Sequence, residues 1–545
     1  MKSESSVKPA VFFERVLQRL RTASSSLVKD WQTIRMARQV AGHARKDQDR
    51  LPVVFFNAST RIRGHSQNAA FSLLASWMVR LTGVRVVHFV CWSGMGHCVL
   101  GTDQDAPEKP MPCKLCIRQS RVNTTRAEAR VFTYQKNDQL AALLNDLSLE
   151  ELLHFEHPLT GMNENLPLGK LVLPSLRWRL RLQTLTDDPA TRFICREFML
   201  SAWNVAVKFS SLLENIKPQA VVLFNGLHFP EATAAWLCKK CGVRVITHES
   251  GFQPFSGYFV EGDVSTYPIT IPDVDLTPEQ DAFLDDSLKQ RFQGLFSMAG
   301  IQFWSEMRSL PAELLHKAAG FKQVVAVFTN VIFDTTQLHA NVVFKDMFAW
   351  LDALLEVIKV HPETLFVLRA HPDEARPGKA SRESVTMWFE QKAATLQNAA
   401  LIQPQERISS YELIQLSKFI LTYNSQIGLE SMLMGVPALG AGQAPFVDFD
   451  TVYFERDREA YLRKLETFLT DPMLEIPPEP VKRTRRFMYY RYFRFSLPFG
   501  AFIETTLPIG YVRLKKFSWR ELEKSPTAQA LLNGLLYSKL FELEV

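Results

Sequence analysis

The chain has 545 residues, 46% of them hydrophobic and 22% charged, with 24 Gly and 29 Pro near average usage. This excludes a mainly disordered, collagen-like or coiled-coil protein and supplies material for two or three cores of ordinary size. The net charge is +6, residues 1–50 alone hold eleven Lys/Arg against five acids, and no run of 18 or more apolar residues offers a membrane-spanning helix.

In chain order, residues 1–50 read as a basic amphipathic helical segment. Met1 to Ala10 is polar, and Glu14, Arg15, Arg19 and Arg21 interrupt the stretch that follows, so no secretory leader is expected. Seven cysteines in a long chain point the same way, to a reducing, cytoplasmic location. Residues 51–315 read as a first α/β domain with strands at Pro52–Asn57, Arg85–Val90, Ala220–Phe224 and Arg244–His248, a polar insertion over Gly101–Arg130 and a helical middle over Gln139–Glu214. The Asp- and Pro-rich stretch Ile271–Gln280 reads as a linker. Residues 316–475 form a second series, with strands at Gln323–Thr329, Leu365–Arg369, Ala400–Gln403, Lys418–Thr422 and Val436–Leu439.

Apolar β-branched runs alternating with helical stretches are the pattern of parallel sheets covered on both faces. Residues 476–545 read as helical and return towards the first domain. They include Lys482, Arg483, Arg485, Arg486, Arg491 and Arg494 interleaved with Phe487, Tyr489, Tyr490, Tyr492, Phe493 and Phe495, with no acid between Val481 and Ile503. Such a tract suits an anionic membrane surface, or equally a helix whose aromatic side packs on the body.

In open parallel sheets ligands bind beyond the carboxyl ends of the strands. In the second series those ends are polar: Arg369-Ala-His371-Pro372-Asp-Glu374, and Asn424-Ser425-Gln-Ile-Gly428-Leu-Glu430 leading to Gly435-Val-Pro437. Asn424 and Ser425 at a helix N-terminus favour a phosphate, through hydroxyl, free N–H groups and helix dipole; plain N-capping is the alternative. His371, held non-helical by Pro372, offers a donor to a phosphate oxygen with Arg369 in support, or simply makes a turn. Glu430, further along the same helix, is placed to accept from ribose hydroxyls.

These motifs, with Gln403-Pro404 and Ser409-Ser410, resemble the capsule polysaccharide biosynthesis family, GT-B-like bacterial glycosyltransferases related to capsule Kdo transferases and bacterial sialyltransferases. The resemblance covers about Val324 to Asp448. It implies a GT-B-like fold of two Rossmann-type domains with parallel sheets facing a cleft. It further implies an inverting, metal-independent transfer of sugar from a nucleotide-activated donor, such as a CMP-sugar, to a surface polysaccharide or glycolipid, in the cytoplasm or peripherally at the inner membrane. Arg369, His371, Asn424, Ser425, Glu430, Asn330 and Asp334 then hold the donor. In the first domain Phe224-Asn225-Gly226-Leu-His228 and Thr247-His248-Glu249-Ser250-Gly251 resemble family segments, the latter an acidic Glu-Asp-Gly motif supplying the general base. Ser250 replaces the second acid, which leaves Glu249, then His248, as base; strand-end residues that shape the cleft by hydrogen bonding are the alternative for both. Asn57, Arg61, Arg63 and His65 after the first strand, with Asn225 and His228, are assigned to acceptor or cleft; capping of the next helix is the alternative for the first group.

Cys91, Cys98, Cys113 and Cys116 fall within 26 residues, and four thiolates there would close a structural zinc site, against the alternative of reduced, partly buried thiols. No phosphate-binding P-loop, Gly-x-Gly-x-x-Gly or His-Glu-x-x-His occurs, and the basic tracts lie in no recognised nucleic-acid module. Two rival readings stand beside the transferase: a UDP-sugar 2-epimerase-like enzyme acting without an acceptor, and a non-catalytic assembly subunit that keeps the binding site.

Overall fold

A computed structural model describes residues 29–544 except 45–48, 59–61, 294–296, 299–300, 303–306, 334–336, 377–379 and 508–509. Two parallel sheets organise it. The first contains β1 (Val53–Asn57), β2 (Val86–Cys91), β3 (Glu128–Phe132), β4 (Ala220–Phe224), β5 (Arg244–Ser250) and β6 (Ser256–Glu261) in the order 3-2-1-4-5-6. β1 to β5 run parallel, and β6 turns back antiparallel on β5. The second contains β7 (Gln323–Phe328), β8 (Thr364–Arg369), β9 (Ala399–Ile402), β10 (Phe419–Thr422), β11 (Ala438–Gly440) and β12 (Tyr453–Phe454), all parallel, in the order 9-8-7-10-11-12. Each is the doubly wound Rossmann order, in which the chain starts at mid-sheet and then reverses direction.

The strand sequences explain why both faces are covered. In β1, Val54 and Phe56 bury against the helical middle of the first domain, while Val53 and Phe55 bury on the opposite side against the Gln67–Leu81 helix. Alternate residues of a strand point to opposite faces, so a run apolar at every position requires cover on both. β7 does the same, with Val325 and Val327 in one layer and Val324, Ala326 and Phe328 in the other.

The C-terminal residues complete the first domain. Leu497–Pro498 adds a short antiparallel strand to β6, and Leu514, Leu531 and Leu535 enter the core beneath β1. Residues 29–43 are helical and set Met36, Ala37 and Val40 into that same core. The earlier part of the basic segment, residues 1–28, lies outside the described residues.

The basic and aromatic tract crosses between the two domains as the helix Pro478–Tyr489 and a wider turn over Tyr490–Arg494. Its cations meet acids of this chain: Lys482 with Asp275, Arg483 with Asp450, Arg485 with Asp281 and Asp285, Arg486 with Asp273, and Arg494 with Glu542, at 2.6–3.1 Å. Arg491 is buried against the rings of Tyr258, Tyr267 and Phe252, with its guanidinium carbon 3.5–4.5 Å from their centroids. Asp273 and Asp275 of the stretch read from sequence as a linker thus supply part of the counter-charge of this tract, and the packed-helix alternative describes it. Among the described residues no helix is long and apolar enough to cross a membrane.

Where the tract meets the second domain lies a buried ion pair. Arg291, on the helix Pro278–Phe292, donates from Nε to Glu430 Oε1 at 2.7 Å, and Tyr411 donates its hydroxyl to Glu430 Oε2 at 2.9 Å. Removing one member of such a pair strands the other charge out of water, whereas replacing both with apolar groups does not. Glu430→Ala should therefore cost about 3–5 kcal/mol and lower the thermal midpoint, while Arg291→Met with Glu430→Leu recovers most of the loss; calorimetry of the three proteins checks this.

Candidate functional site

A cavity of about 390 Å³ opens beyond the carboxyl ends of β1, β2, β4 and β5, at the point where the strand order of the first sheet reverses. Asn57, the last residue of β1, binds His88 Nδ1 through its amide nitrogen at 2.8 Å and accepts from Ser72 Oγ at 3.3 Å. Asn225 follows β4 in the left-handed region at φ 57°, a conformation Asn adopts more readily than most residues, and Gly226 continues the turn at φ 85°. That turn aims the Asn225 amide at Glu249 Oε2, 3.0 Å away. From the first turn of the Gln67–Leu81 helix, Asn68 donates to Glu249 Oε1 at 2.7 Å, and the Ser250 N–H adds a third donor at 2.8 Å. A carboxylate offers about four acceptor sites over its two oxygens, and these three donors help to fix its orientation.

Three histidines line the same cavity. Burial disfavours their charged forms and pushes His88 down to about 3, His248 to about 3 and His228 to about 4. His248 sits inside β5 with its ring stacked on Phe259, and its Nδ1 finds no protein partner. A group that holds a proton only below about pH 3 is a weak base at neutral pH, which argues against His248 in that role. His228 faces Trp178 edge-on and also lines a smaller cavity between the domains, with Arg177, Gln183, Phe333 and Gln337.

The second domain brings Asn330, Asn424 and Ser425 together where its own strand order reverses, after β7 and β10. Asn330 Oδ1 accepts the Asn424 N–H at 3.4 Å, and Gln337, from the interdomain cavity, donates to Asn424 Oδ1 at 3.4 Å. The helix that follows, Ile427–Leu433, is capped at Gln426 rather than at Asn424 or Ser425; Ser425 Oγ reaches only the Ile427 N–H, at 3.5 Å. His371 follows β8, which lies beside β7 in the sheet. Its Nδ1 accepts the Asp373 N–H at 3.1 Å, so the neutral ring carries its proton on Nε2, as a phosphate donor requires.

Several residues singled out from sequence are committed elsewhere. Arg369 is buried and spends its guanidinium on the Gln403 and Glu406 carbonyls, at 3.1 and 2.9 Å, so it shapes the loop after β9. Glu430, expected to meet ribose, is enclosed with Arg291 and Tyr411. His65 is buried on Asn123 and pairs its backbone with Val512, Arg63 is exposed, and neither lines the cavity. Arg61 and Asp334 lie outside the described residues.

Sequence reasoning did not single out Asn68, Ser72, His88 or Trp178, all of which line the cavity, as does Glu231 at the end of the family-like segment that begins at Phe224. Asn68 lies only three residues beyond the polar run that ends at His65, a signal within reach; His88 is hidden inside an apolar strand. Cys91, Cys98, Cys113 and Cys116 line a separate small cavity next to the loop after β1. Among the described residues no three His, Cys, Asp or Glu side chains are grouped around a common metal position.

Across the cleft, Glu383 accepts the backbone N–H groups of Gln183 and Thr184 at 2.7 and 2.9 Å. Arg181 lies over the rings of Trp178 and Phe333, at 4.1 and 4.9 Å, one from each domain. These contacts join the two domains beside the cavity that His228 and Gln337 line.

No family model matches the chain. Protein FixF of Sinorhizobium fredii is 25% identical over 258 residues, which are 45% of this chain and 55% of that one, so the chain spans about half the length of the curated relative it matches. Among solved structures, the β-Kdo 2,4 transferase of Thermosulfurimonas dismutans KpsC aligns over 56% of this chain and 87% of its own, at 11% identity and a TM-score of 0.35. A UDP-GlcNAc 2-epimerase from Neisseria meningitidis aligns over 81% of this chain and 98% of its own, at 12% identity and a TM-score of 0.26.

The buried histidines make stability depend on pH with a definite sign. Each holds its proton more weakly folded than at its unfolded value of about 6.5, so their contribution is complete above that value and is lost as pH falls towards 4 and 3. Between those limits each should cost about 1.4 kcal/mol per pH unit, and His248→Gln should remove one histidine's share of the slope in urea unfolding at pH 7, 6 and 5.

Proposed function

We propose that the protein is a glycosyltransferase that moves a sugar from a nucleotide-activated donor to a hydroxyl of a surface polysaccharide or glycolipid. The observation that carries this reading is the Glu249 carboxylate, fixed by Asn68 and Asn225 in a cavity of about 390 Å³ at the first-domain strand ends, with Asn330, Asn424 and Ser425 gathered at those of the second. A glycosyl transfer needs a base beside the acceptor hydroxyl and a leaving phosphate held on the opposite side of the sugar. In this reading the acceptor occupies the first-domain cavity, and Glu249 takes the hydroxyl proton as that oxygen attacks the anomeric carbon. The bond from that carbon to the phosphate oxygen breaks with inversion.

The departing nucleotide lies against the second-domain strand ends, where Ser425 and the His371 Nε2–H donate to it. Their donors supply the stabilisation of the leaving charge that this reading requires, with no metal assigned to the step. Membership of the capsule polysaccharide family and use of a CMP-sugar belong to the same proposal, supported by the His371-Pro372 and Asn424–Glu430 motifs. So does peripheral attachment to an anionic inner leaflet through the basic first fifty residues. Its test is flotation of the full chain with liposomes containing anionic lipid; indifference to that lipid removes the attachment and leaves the chemistry standing.

Thermal shift and calorimetry with CMP, UDP, GDP and their sugar conjugates should give stabilisation by one nucleotide family, lost in His371→Ala. With the donor so identified, Glu249→Gln should keep nucleotide binding and lower the transfer rate by about 10²–10⁴-fold. Full activity in Glu249→Gln would sink the base assignment. Release of an epimerised sugar from donor alone would favour the epimerase reading, and donor binding without turnover by the wild type would favour an assembly subunit.

A further inference from the structure

Four of the seven cysteines gather away from Glu249. Cys91 ends β2, Cys98 lies in the loop beyond it, and Cys113 and Cys116 open the helix Cys113–Asn123. All four line one cavity of about 30 Å³ whose other walls are mostly apolar and include Met95 and Met111. That space admits a few water-sized spheres, enough for a small ion.

The backbone is arranged around the sulfurs. The Gly94 N–H points at Cys91 Sγ at 3.1 Å and the Gly101 N–H at Cys98 Sγ at 3.3 Å. Each donor lies three residues after its cysteine, in a turn that wraps the chain round the sulfur and favours negative charge on it. Gly101 is packed so closely that a Cβ there would stand 3.1 Å from Cys98 Sγ and 3.2 Å from Met111 Sδ. Between Cys91 and Cys113 the chain has neither helix nor strand, yet its Val99 and Leu100 also wall the 390 Å³ cavity, as do Ser120, Asn123 and Thr124 of the helix that follows.

We propose that Cys91, Cys98, Cys113 and Cys116 bind one zinc ion as a structural tetrathiolate site, stapling the insertion that forms this wall of the first-domain cavity. A small pocket with four sulfur ligands suits zinc, which takes a closed tetrahedral set in structural sites. Four S–H groups give their protons to solvent as four Zn–S bonds form, with no change of oxidation state. The sulfurs as placed line the cavity without converging on one point, so closure on the ion requires rotation about the cysteine Cα–Cβ bonds. The proposal is independent of the sugar-transfer reading, since a staple serves the fold whatever the cavity binds.

The test is metal analysis of the purified full-length chain, then titration of the metal-free protein with Co²⁺. About one zinc per chain is expected, with the thiolate charge-transfer and tetrahedral d–d bands of cobalt appearing at one equivalent. Cys113→Ser and Cys116→Ser should lose the metal, and Cys241→Ser, exposed and distant in sequence, should keep it. Because the cobalt titration uses the wild type, misfolding of a serine variant does not decide the matter. A chain without zinc whose four thiols are reactive, or joined as disulfides, and which gives no cobalt bands would overturn the proposal, as would iron in place of zinc.

Discussion

The constraint on which the rest of the molecule depends is the reversal of strand order in each sheet. In the first, the chain leaves β1 towards β2 and later returns to β4 on the opposite side; in the second it does the same from β7 to β8 and then β10. Right-handed crossovers then place successive helices on opposite faces, and a crevice opens between the loops that diverge at the switch. Asn57 and Asn225 end the two strands that flank the first crevice, and Asn330 and Asn424 follow the two that flank the second. Amide side chains suit such places. They meet the N–H groups that strand ends leave unpaired, turn freely into left-handed backbone as Asn225 does, and carry no charge that burial would penalise.

Charge is buried where it fixes the assembly. Arg291 and Glu430 join the linking helix Pro278–Phe292 to the second domain, while Arg491 anchors the returning chain in an aromatic box of the first. An ion pair out of water gives little net stability over apolar packing, but it tolerates no misplacement, because each charge depends on its partner. The exposed pairs along the tract contribute less individually. Their collective effect is register: five cations on one helix and turn meet acids from residues 273–285, 450 and 542, so this segment has one way to lie between the domains.

Much of the fold was legible because its strands are apolar at nearly every position, a pattern that fits only sheets covered on both faces. The strand-end polar residues were legible for the same reason: they interrupt that pattern abruptly. What local sequence did not reveal is where a side chain's partner comes from. Arg369 and Glu430 occupy positions where a ligand contact is a reasonable reading, yet their partners, Glu406 and Arg291, lie 37 and 139 residues away. The basic tract looked unpaired because its acids lie some 200 residues earlier. Asn68 and His88 escaped notice because one lies within a helix and the other alternates with core residues, and only the packing of helix against strand aims both at the same space.

In the proposed family reading Ser250 stands in place of a second acid, and these surroundings give that a physical meaning. Asn68 stands 2.7 Å from Glu249 Oε1 and 3.5 Å from Ser250 Oγ, so a carboxylate at 250 would share the same amide donor. Two carboxylates that close cannot both ionise freely, and one would hold a proton. With serine there, Asn68 makes its closer contact to Glu249, beside the Asn225 amide and the Ser250 N–H. Histidines 88, 228 and 248 are held neutral, so they shape the cavity and offer hydrogen bonds without adding positive charge. An acceptor hydroxyl entering there would meet a carboxylate oriented by Asn68, Asn225 and the Ser250 N–H, with Glu231 as a second acid in the cavity wall. In the proposed transfer, that orientation is what the Glu249 base requires.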